Sequence, residues 1–347
     1  MRVLHLLKSN KYSGAENVVL TIMDVCSDMD MVYASPDGSI REVVESRGHE
    51  FYPLTRPTIR EVKKAIRELH PDVIHAHDFT MASTAAWAAG DIPVIAHLHN
   101  NPPWLKKIGV KSIVFALALP QIRQVISVSK AVEDEYVFRS LMRNKNTVIG
   151  NVVDTKNVQQ KARESCDCKP VDMVFLGRMT PQKSPILFCQ IVESVKESLP
   201  ETTARMIGDG ELMPQIKEYI HNHKLDDTIE LVGFQRNPYP YLNAGKIMVM
   251  PSAWEGFGLV AIEAMCLGKP VICSGVGGLA DIVDSCCGAK CKEKYTYVNE
   301  ITAILNDDIK YDMKAKAACE KAQKYCDLQA YKNAVVKVYR NTITEKI

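Results

Sequence analysis

The sequence predicts an α/β protein made of two consecutive doubly wound parallel sheets. Short β-branched runs alternate with helix-length amphipathic segments, and this alternation stops over residues 151–170 and then restarts. The chain of 347 residues is also longer than one core usually holds, about 250 to 300 residues. Strands separated by helix-length segments are joined by right-handed crossovers, so each half is expected to form a parallel sheet.

The individual elements follow from the same periodicities. In the first half, strands are predicted at residues 2–7, 31–35, 72–77, 94–99 and 124–129, and helices at 16–26, 59–69 and 131–141. In the second half, strands are predicted at residues 171–176, 204–207, 229–232, 246–250 and 270–273, and helices at 186–198, 212–223 and 259–267. The predicted domains are residues 1–155 and 156–327, with residues 328–347 forming a last helix that packs back on the first domain.

Composition excludes several classes of protein. With 46% hydrophobic and 24% charged residues, the chain is neither disordered nor collagen-like. A net charge of +2 argues against a dedicated nucleic-acid binder. Residues 1–10 are too polar for a signal peptide, and the longest clean apolar run, residues 113–119, is far short of the roughly 20 residues that span a bilayer. A cytoplasmic protein is expected, with its eleven cysteines reduced.

Two cations follow the strand predicted at residues 171–176. Arg178 and Lys183 leave the same loop, at the end of a parallel strand where ligands of such sheets bind. Two fixed cations suit a pyrophosphate, although an isolated pair of this kind is also typical of a solvated surface.

Two carboxylates follow a later strand. Glu255 lies in a glycine-rich loop, and Glu263 comes eight residues later, inside a helix that begins near Gly258. The glycines let backbone amides approach a ligand, and a helix N-terminus favours a phosphate. A carboxylate one turn into the helix can accept from both hydroxyls of a ribose, while one on the loop can reach a second sugar. The alternative is a helix-capping acid beside a solvated one.

A third glycine-rich turn contains Gly277 and Gly278, which would present backbone amides to an anion. Residues 256–261 and 275–280 both match the Gly-x-Gly-x-x-Ala dinucleotide fingerprint. An NAD(P)-dependent oxidoreductase is therefore an alternative function. The first strand-to-helix turn, residues 8–14, is the usual place for this fingerprint, and it lacks the second glycine.

Taken together, these motifs resemble glycosyltransferase family 4, the retaining GT-B glycosyltransferases of group 1 type that act in bacterial polysaccharide assembly. The resemblance covers nearly the whole chain and is most specific in the Glu-x7-Glu segment. The matching residues are Gly177-Arg178 with Lys183, Glu255 and Glu263, Gly277-Gly278, Ser13-Gly14-Ala15-Glu16, residues 72–77, and Asn151 with Asp154. The chain departs from the family pattern by small changes, at Ser13, Val152, Ser184 and Asp281.

The resemblance implies two Rossmann-like domains that face a central cleft, and it implies a nucleotide-sugar site. Arg178 and Lys183 would hold the diphosphate, Glu263 the ribose and Glu255 the hydroxyls of the transferred sugar. The site would need neither a metal nor a cofactor. Backbone amides at Phe257, Gly258, Leu259 and Gly14 would line the sugar and the phosphates, together with Gly277 and Gly278, and His99 would face the sugar.

Histidines suggest a different chemistry. His75 and His77 lie at strand spacing, as do His97 and His99, so each pair faces one way. Four convergent imidazoles could bind zinc, which would fit a metal hydrolase. No carboxylate except Asp78 stands at ligand spacing, and a histidine in a strand is more often a satisfied core residue, so no metal site is predicted.

Residues 92–132 contain no acidic side chain but carry several lysines among apolar residues. Lys106, Lys107 and Lys111 interleaved with apolar side chains suit contact with an anionic membrane at the inner face of the plasma membrane. The alternative is a buried helix with a basic outer edge, which fits residues 113–119 better.

The expected function is transfer of a sugar, with a UDP-sugar favoured, to a hydroxyl of a glycan or lipid-linked glycan in surface-polysaccharide synthesis. Besides the oxidoreductase, a non-catalytic nucleotide-sugar-binding subunit is an alternative. The charged set Arg178, Lys183, Glu255 and Glu263 speaks against both alternatives.

Overall fold

The computed structural model describes residues 1–344 and divides into two compact units. The first unit consists of Met1–Val152 together with the segment that starts at Leu328, and the second unit is Val153–Asp327. Each unit is a parallel sheet with helices on both faces, as the alternating periodicities predict.

The first unit has a seven-stranded sheet in the order β3-β2-β1-β4-β5-β6-β7, and every pair of neighbours is parallel. Its strands are β1 (Arg2–Leu6), β2 (Asp30–Pro36), β3 (Glu50–Leu54), β4 (Val73–His77), β5 (Val94–Leu98), β6 (Ile122–Ser127) and β7 (Asn146–Val148). Besides a last helix described below, its α-helices are α1 (Gly14–Val25), α2 (Ser39–Ser46), α3 (Ile59–Leu69), α4 (Asp78–Ala88), α5 (Val110–Ala118), α6 (Lys130–Asp134) and α7 (Arg139–Met142).

The second unit has a six-stranded parallel sheet in the order β10-β9-β8-β11-β12-β13. Its strands are β8 (Val171–Leu176), β9 (Ala204–Ile207), β10 (Ile229–Gly233), β11 (Gly245–Met250), β12 (Val271–Ser274) and β13 (Gly288–Cys291). Its helices are α8 (Thr155–Ala162), α9 (Pro185–Ser198), α10 (Met213–Asn222), α11 (Tyr239–Asn243), α12 (Leu259–Cys266), α13 (Leu279–Ile282), α14 (Lys294–Leu305) and α15 (Asp308–Ala322).

The last helix, α16 (Leu328–Thr344), belongs to the first unit. It contacts α1, β4 and β6. Its Tyr339 is fully buried there, and the phenol hydroxyl lies 2.8 Å from Nδ1 of His75. Residues 345–347 of the predicted last helix lie outside the described residues.

Among the predicted elements, the helix over residues 131–141 is wrong. This segment forms two short helices, α6 and α7, separated by residues 135–138. Tyr136 is fully buried, and the amide of Val137 donates to the carbonyl of Leu105, 2.8 Å away, instead of continuing a helix. A tertiary contact therefore overrides the local helical pattern.

The cysteines are partly as expected. Nine are free thiols, but Cys166 and Cys168 are joined by a disulfide, which corrects the prediction that all are reduced. Their Cα atoms are 5.4 Å apart, within the range that a disulfide requires. Within residues 1–344, no helix is both long enough and apolar enough to cross a bilayer.

Five histidines pack together in the core of the first unit. The sequence predicts four of them, and the structure adds His5, which stands directly opposite His75 across the β1–β4 pair. Four of the five are almost completely buried, and His99, just beyond β5, is partly exposed. The members are His5, His75, His77, His97 and His99.

The rings form two hydrogen-bonded chains. One runs from Nδ1 of His5 to Nε2 of His77 at 3.0 Å and from Nδ1 of His77 to Nε2 of His99 at 2.8 Å. The other joins Nδ1 of His97 to Nε2 of His75 at 3.2 Å and continues to Tyr339. A neutral imidazole has one donor and one acceptor, so such chains suit uncharged rings.

Burial lowers the pKa of every histidine in this cluster. It brings the pKa of His5 to about 3 and that of His99 to about 4, with the Asp78 charge opposing the shift at His99. For His75, His77 and His97, burial and the neighbouring rings lower the pKa well below the ordinary value. The cluster is therefore neutral at neutral pH.

We expect the first unit to lose stability in acid. Below about pH 6.5 these rings gain protons in the unfolded chain but not in the folded one, so unfolding becomes more favourable until the pH reaches the lowered folded-state pKa values. At pH 5, His5 alone is expected to contribute about 2 kcal/mol to this loss. Urea unfolding at pH 7.5 and pH 5 measures it.

His5→Gln should reduce the pH-dependent loss by about that amount, because glutamine does not titrate in this range. The matched control is His221→Gln, at a ring that is 81% exposed. An equal pH dependence in wild type and His5→Gln would contradict this account.

Candidate functional site

The strand order of the second sheet reverses between β8 and β11. From β8 the chain proceeds outward through β9 and β10, whereas β11 lies on the other side of β8 and is followed by β12 and β13. Loops that leave the carboxyl ends of two such strands diverge and form a crevice, where open α/β sheets bind ligands. Arg178 and Lys183 follow β8, and Glu255 follows β11, so the predicted charges flank this crevice.

The two predicted cations differ in their surroundings. Arg178 is exposed, and its Nη2 donates to Oε1 of Gln182 at 3.0 Å. Lys183 is largely buried, with 12% of its side chain exposed, and its Nζ donates to Oε2 of Glu255 at 2.6 Å. Ser184, where glycine is common in the family pattern, has φ 49°, a left-handed conformation that favours glycine.

Gln182 joins the loops on the two sides of the crevice, and sequence reasoning missed it. Its Oε1 accepts from Arg178, its Nε2 donates to the carbonyl of Trp254 at 3.2 Å, and its backbone carbonyl accepts from the amide of Ala253 at 2.8 Å. The side chain is buried. A glutamine between two cations carries no distinctive sequence signal, so only the structure identifies this bridge.

The loop after β11 packs tightly against the loop after β12. Gly258 has φ 110°, and a Cβ there would lie 2.6 Å from Cδ2 of Leu279. A Cβ at Gly278 would lie 2.4 Å from the carbonyl oxygen of Phe257. Both positions require glycine, and the close packing that they allow holds the loop that carries Glu255 in place.

The predicted backbone donors fall into two groups. Phe257, Gly258 and Leu259 lie at the N-terminus of α12, where amides have no acceptor within the helix. The amide of Gly278 instead donates to the carbonyl of Glu255 at 3.3 Å, which corrects the expectation that this amide is presented to an anion. Gly277 precedes it with φ 53°, so the turn depends on both glycines.

Glu263 lies one turn into α12 and is buried. Burial raises the pKa of its carboxyl to about 7, although the hydrogen bond from Tyr239 and the charge of Lys183 oppose the shift. The Tyr239 hydroxyl donates to Oε1 at 3.2 Å. Tyr239 was not predicted, since it lies in the separate short helix α11.

Two further loops at the same sheet edge were missed. After β9, Gly208 has φ 133°, and a Cβ there would lie 2.0 Å from the carbonyl oxygen of Gly177. After β10, Phe234 is 61% exposed. A Gly-Asp-Gly run directly after a predicted strand was the available signal for the first loop, and the second has none beyond its place after a strand.

Two predicted site residues, Gly14 and His99, lie in the first unit. Gly14 is the exposed first residue of α1, on the loop after β1. His99 follows β5, and its Nε2 is hydrogen-bonded to His77, while its Nδ1 is buried and has no hydrogen-bond partner within residues 1–344. Ser13, the substitute for a family glycine, hydrogen-bonds to the buried Glu16.

The histidines do converge, as the zinc alternative requires. Two overlapping triads have ligand atoms within 4.8 Å of one another: His5 with His75 and His77, and His77 with His97 and His99. The same nitrogens pair with one another as hydrogen-bonding partners, so a metal ion would have to displace these bonds.

The two dinucleotide-fingerprint matches follow β11 and β12, neither of which is the first strand of its sheet. The first turn of the second sheet is the Arg178 loop. The position that a dinucleotide site normally uses is therefore occupied by the cationic loop, which weakens the oxidoreductase alternative.

Comparison with known proteins places this chain in a family. Residues 156–324 match the model for "Glycosyl transferases group 1", and residues 12–157 match the model for "Glycosyltransferase Family 4". The two matches together extend over most of the chain, which belongs to the group 1 glycosyltransferases and carries the N-terminal domain of glycosyltransferase family 4.

Two curated relatives illustrate the sequence similarity. An uncharacterised glycosyltransferase of Methanocaldococcus jannaschii, MJ1059, is 26% identical over 61% of this chain and 57% of that protein. The N-acetylgalactosamine-N,N'-diacetylbacillosaminyl-diphospho-undecaprenol 4-alpha-N-acetylgalactosaminyltransferase of Campylobacter jejuni is 26% identical over 52% of this chain and 48% of that protein. The chain thus spans about half the length of these relatives.

Solved structures confirm the predicted fold class. Anabaena HepE in complex with UDP-glucose superposes with a TM-score of 0.84 and 20% identity, over 98% of this chain and 100% of that one. The fold is GT-B, with two Rossmann-like domains of seven and six parallel strands.

We expect Glu263→Gln to stabilise the second unit at pH 8. The folded protein binds the carboxyl proton more tightly than the unfolded chain does, because the pKa is raised on folding. This effect stabilises the folded state fully below the unfolded pKa of about 4.3 and is lost as the pH rises through 7. Glutamine removes the buried charge and keeps an acceptor for Tyr239. The free energy of unfolding should rise by about 3 kcal/mol at pH 8 and remain unchanged at pH 4.

Urea unfolding at the two pH values makes this measurement, with Glu218→Gln on the exposed face of α10 as the control. A variant no more stable than wild type at pH 8 would show that Glu263 is not held in an unfavourable ionised state.

Proposed function

We propose that this chain is a retaining glycosyltransferase that moves a sugar from a nucleotide diphosphate sugar, with UDP as the favoured nucleotide, to a hydroxyl of a glycan or lipid-linked glycan. The observation that carries the proposal is the grouping of Arg178, Lys183, Glu255 and Glu263 around the crevice between β8 and β11. The UDP-glucose held by Anabaena HepE supports the choice of nucleotide.

The charges of the site suit a departing diphosphate. Arg178 is exposed at the crevice and can bind two phosphate oxygens through its planar guanidinium. Lys183 supplies a second positive charge that its ion pair with Glu255 holds in place. Breaking the bond between sugar and phosphate leaves negative charge on the diphosphate, which these preorganised cations stabilise.

Glu255 and Glu263 would bind different parts of the donor. The Glu263 carboxyl, one turn into α12, accepts hydrogen bonds from the two ribose hydroxyls, and Glu255 accepts from hydroxyls of the transferred sugar. Amides at Phe257, Gly258 and Leu259 donate to the phosphates, because the helix N-terminus favours negative charge.

Two roles fall to the first unit. As the family resemblance implies, the Gly14 loop would line the donor phosphates, and Nδ1 of His99, which has no partner within residues 1–344, would hydrogen-bond to the transferred sugar. Because burial keeps His99 neutral, it acts as a hydrogen-bonding group and not as a cation. Arg178 and Lys183 supply the positive charge that a metal provides in other transferases, so we propose that neither a metal nor a cofactor is required.

The acceptor we propose is a lipid-linked glycan in surface-polysaccharide synthesis. The Campylobacter relative is named for a diphospho-undecaprenol acceptor, which supports this class. A cytoplasmic protein that meets such an acceptor works at the inner face of the plasma membrane.

One surface of the first unit suits that location. Helix α5 buries Phe115 and Ala118 but exposes Val110 by 79% and Leu117 by 63%, and Ile108 just before it is 71% exposed. The predicted buried helix is thus only half buried. The lysines Lys106, Lys107 and Lys111 border these apolar side chains and are exposed. We propose that this basic-apolar surface contacts anionic lipid.

The two alternative functions, an oxidoreductase and a non-catalytic binding subunit, require different properties of the site. An NAD(P)-dependent oxidoreductase has no use for two carboxylates and two cations at this crevice. A non-catalytic binding subunit would bind the nucleotide sugar without turnover, so only an activity assay separates it from the transferase.

A ligand panel tests the donor class. UDP-, GDP- and ADP-sugars, NAD and NADP are added to the purified protein, and thermal unfolding is followed. One sugar nucleotide at about a hundred times its dissociation constant should stabilise the protein by about 2.7 kcal/mol, and Arg178→Ala should abolish this effect. Stabilisation by NAD or NADP alone would favour the oxidoreductase.

Glu255→Gln tests the assignment of the transfer chemistry. With the identified donor, we expect kcat to fall by about 100-fold, because the variant removes the partner of Lys183 and an acceptor for the sugar. Glu197→Gln, at an exposed position on α9, should retain full activity. Undiminished transfer by Glu255→Gln would overturn the assignment, and donor binding without transfer in wild type would favour the non-catalytic subunit.

Sedimentation with vesicles tests the lipid surface. Replacing Lys106, Lys107 and Lys111 by alanine should weaken partitioning into phosphatidylglycerol vesicles by about 100-fold, since each basic residue near the surface contributes about 1 kcal/mol. The control replaces Lys63, Lys64 and Arg67, also exposed in the first unit, by alanine. Equal partitioning of both variants would remove the proposed lipid contact.

A further inference from the structure

Two free cysteines lie side by side in the second unit. Cys266 is the last residue of α12, and Cys326 lies in the segment between α15 and α16, 60 residues further along the chain. Their sulfur atoms are 3.9 Å apart. Cys266 is buried, whereas Cys326 is partly exposed, so Cys326 is the more accessible of the two residues.

A threonine hydroxyl completes the cluster. Thr155, the first residue of α8, donates through Oγ1 to the sulfur of Cys326 at 2.6 Å and lies 3.7 Å from the sulfur of Cys266. The hydrogen bond with Cys266 and the one from Thr155 lower the pKa of the Cys326 thiol. A more acidic and accessible thiol is the better nucleophile toward oxidants.

We propose that Cys266 and Cys326 form a peroxide-sensitive dithiol that closes to a reversible disulfide. The Cys326 thiolate attacks one oxygen of a hydroperoxide, the O–O bond breaks, and the sulfur becomes a sulfenic acid while hydroxide or alkoxide leaves. The Cys266 sulfur then attacks that sulfur, the S–S bond forms, the S–O bond breaks, and water leaves. The two thiols lose two electrons, which reduce the peroxide.

The place of this pair gives the modification a structural consequence. Glu263 lies three residues before Cys266 on α12, and the amide of Val153 donates to the carbonyl of Tyr325 at 2.9 Å, next to Cys326. The disulfide therefore ties the helix that carries Glu263 to the point where the chain enters and leaves the second unit.

Peptide mapping of the full chain tests the proposal. The background protein carries Cys166→Ser and Cys168→Ser, because these two residues already form a disulfide that could exchange. The reduced protein is treated with hydrogen peroxide, remaining thiols are alkylated, and the digest is analysed by mass spectrometry. We expect a linked pair of peptides containing Cys266 and Cys326, which dithiothreitol separates again.

Four variants sharpen the test. Cys266→Ser should leave a sulfenic acid at Cys326 that dimedone traps, and Thr155→Val should slow this trapping several-fold while Thr155→Ser preserves it. Cys319→Ser, at another partly exposed thiol, should form the linked pair as the background protein does.

Recovery of separately alkylated Cys266 and Cys326 peptides after peroxide would overturn the proposal. So would dimedone labelling of Cys266 in a Cys326→Ser variant together with no labelling of Cys326 in Cys266→Ser. Circular dichroism of each variant verifies that it is folded, and Cys266→Ala replaces Cys266→Ser if the serine variant is not.

Discussion

The reversal of strand order between β8 and β11 is the constraint on which the candidate site depends. It makes two loops that are 72 residues apart in sequence leave neighbouring strands and turn in opposite directions. Lys183 and Glu255 meet across that gap, and Gln182 bonds to both loops. The glycines at 258 and 278 then allow a third loop to pack against the second without steric conflict. The backbone arrangement thus places the charges, and the charges in turn determine which ligand the crevice suits.

In both units, burial disfavours the charged form of certain ionisable side chains. In the second unit, burial raises the pKa of the Glu263 carboxyl and so disfavours its ionised form. In the first unit, five imidazoles remain uncharged because burial lowers their pKa values, and most of their nitrogens hydrogen-bond to one another or to Tyr339. Sites adapted to bind or transform a ligand commonly give up stability in this way. The histidine chains differ from Glu263 in their hydrogen bonding, because most of the ring nitrogens already have partners within the protein.

Much of the fold and part of the site could be predicted from the sequence. The alternating periodicities predicted strands such as β8 and β9 with their observed bounds, and the Glu-x7-Glu spacing correctly put Glu263 one turn into a helix. What failed depends on contacts between distant residues. The helix over residues 131–141 is broken because Val137 bonds to Leu105, and the Gly278 amide is used by Glu255. Gln182 and Tyr239 have no local pattern that marks them, because their partners come from other loops.

The position of α16 has a consequence for how the chain folds during synthesis. The core of the first unit includes Tyr339, yet 175 residues of the second unit, Val153–Asp327, precede this helix in the chain. Domains usually fold as units as they emerge from the ribosome, with the N-terminal one first. Here the first sheet lacks its covering helix until the whole second unit has been translated. His75 lacks its hydroxyl partner until then, and the faces of α1, β4 and β6 that α16 covers remain exposed, so the first unit can be completed only after the second has been synthesised.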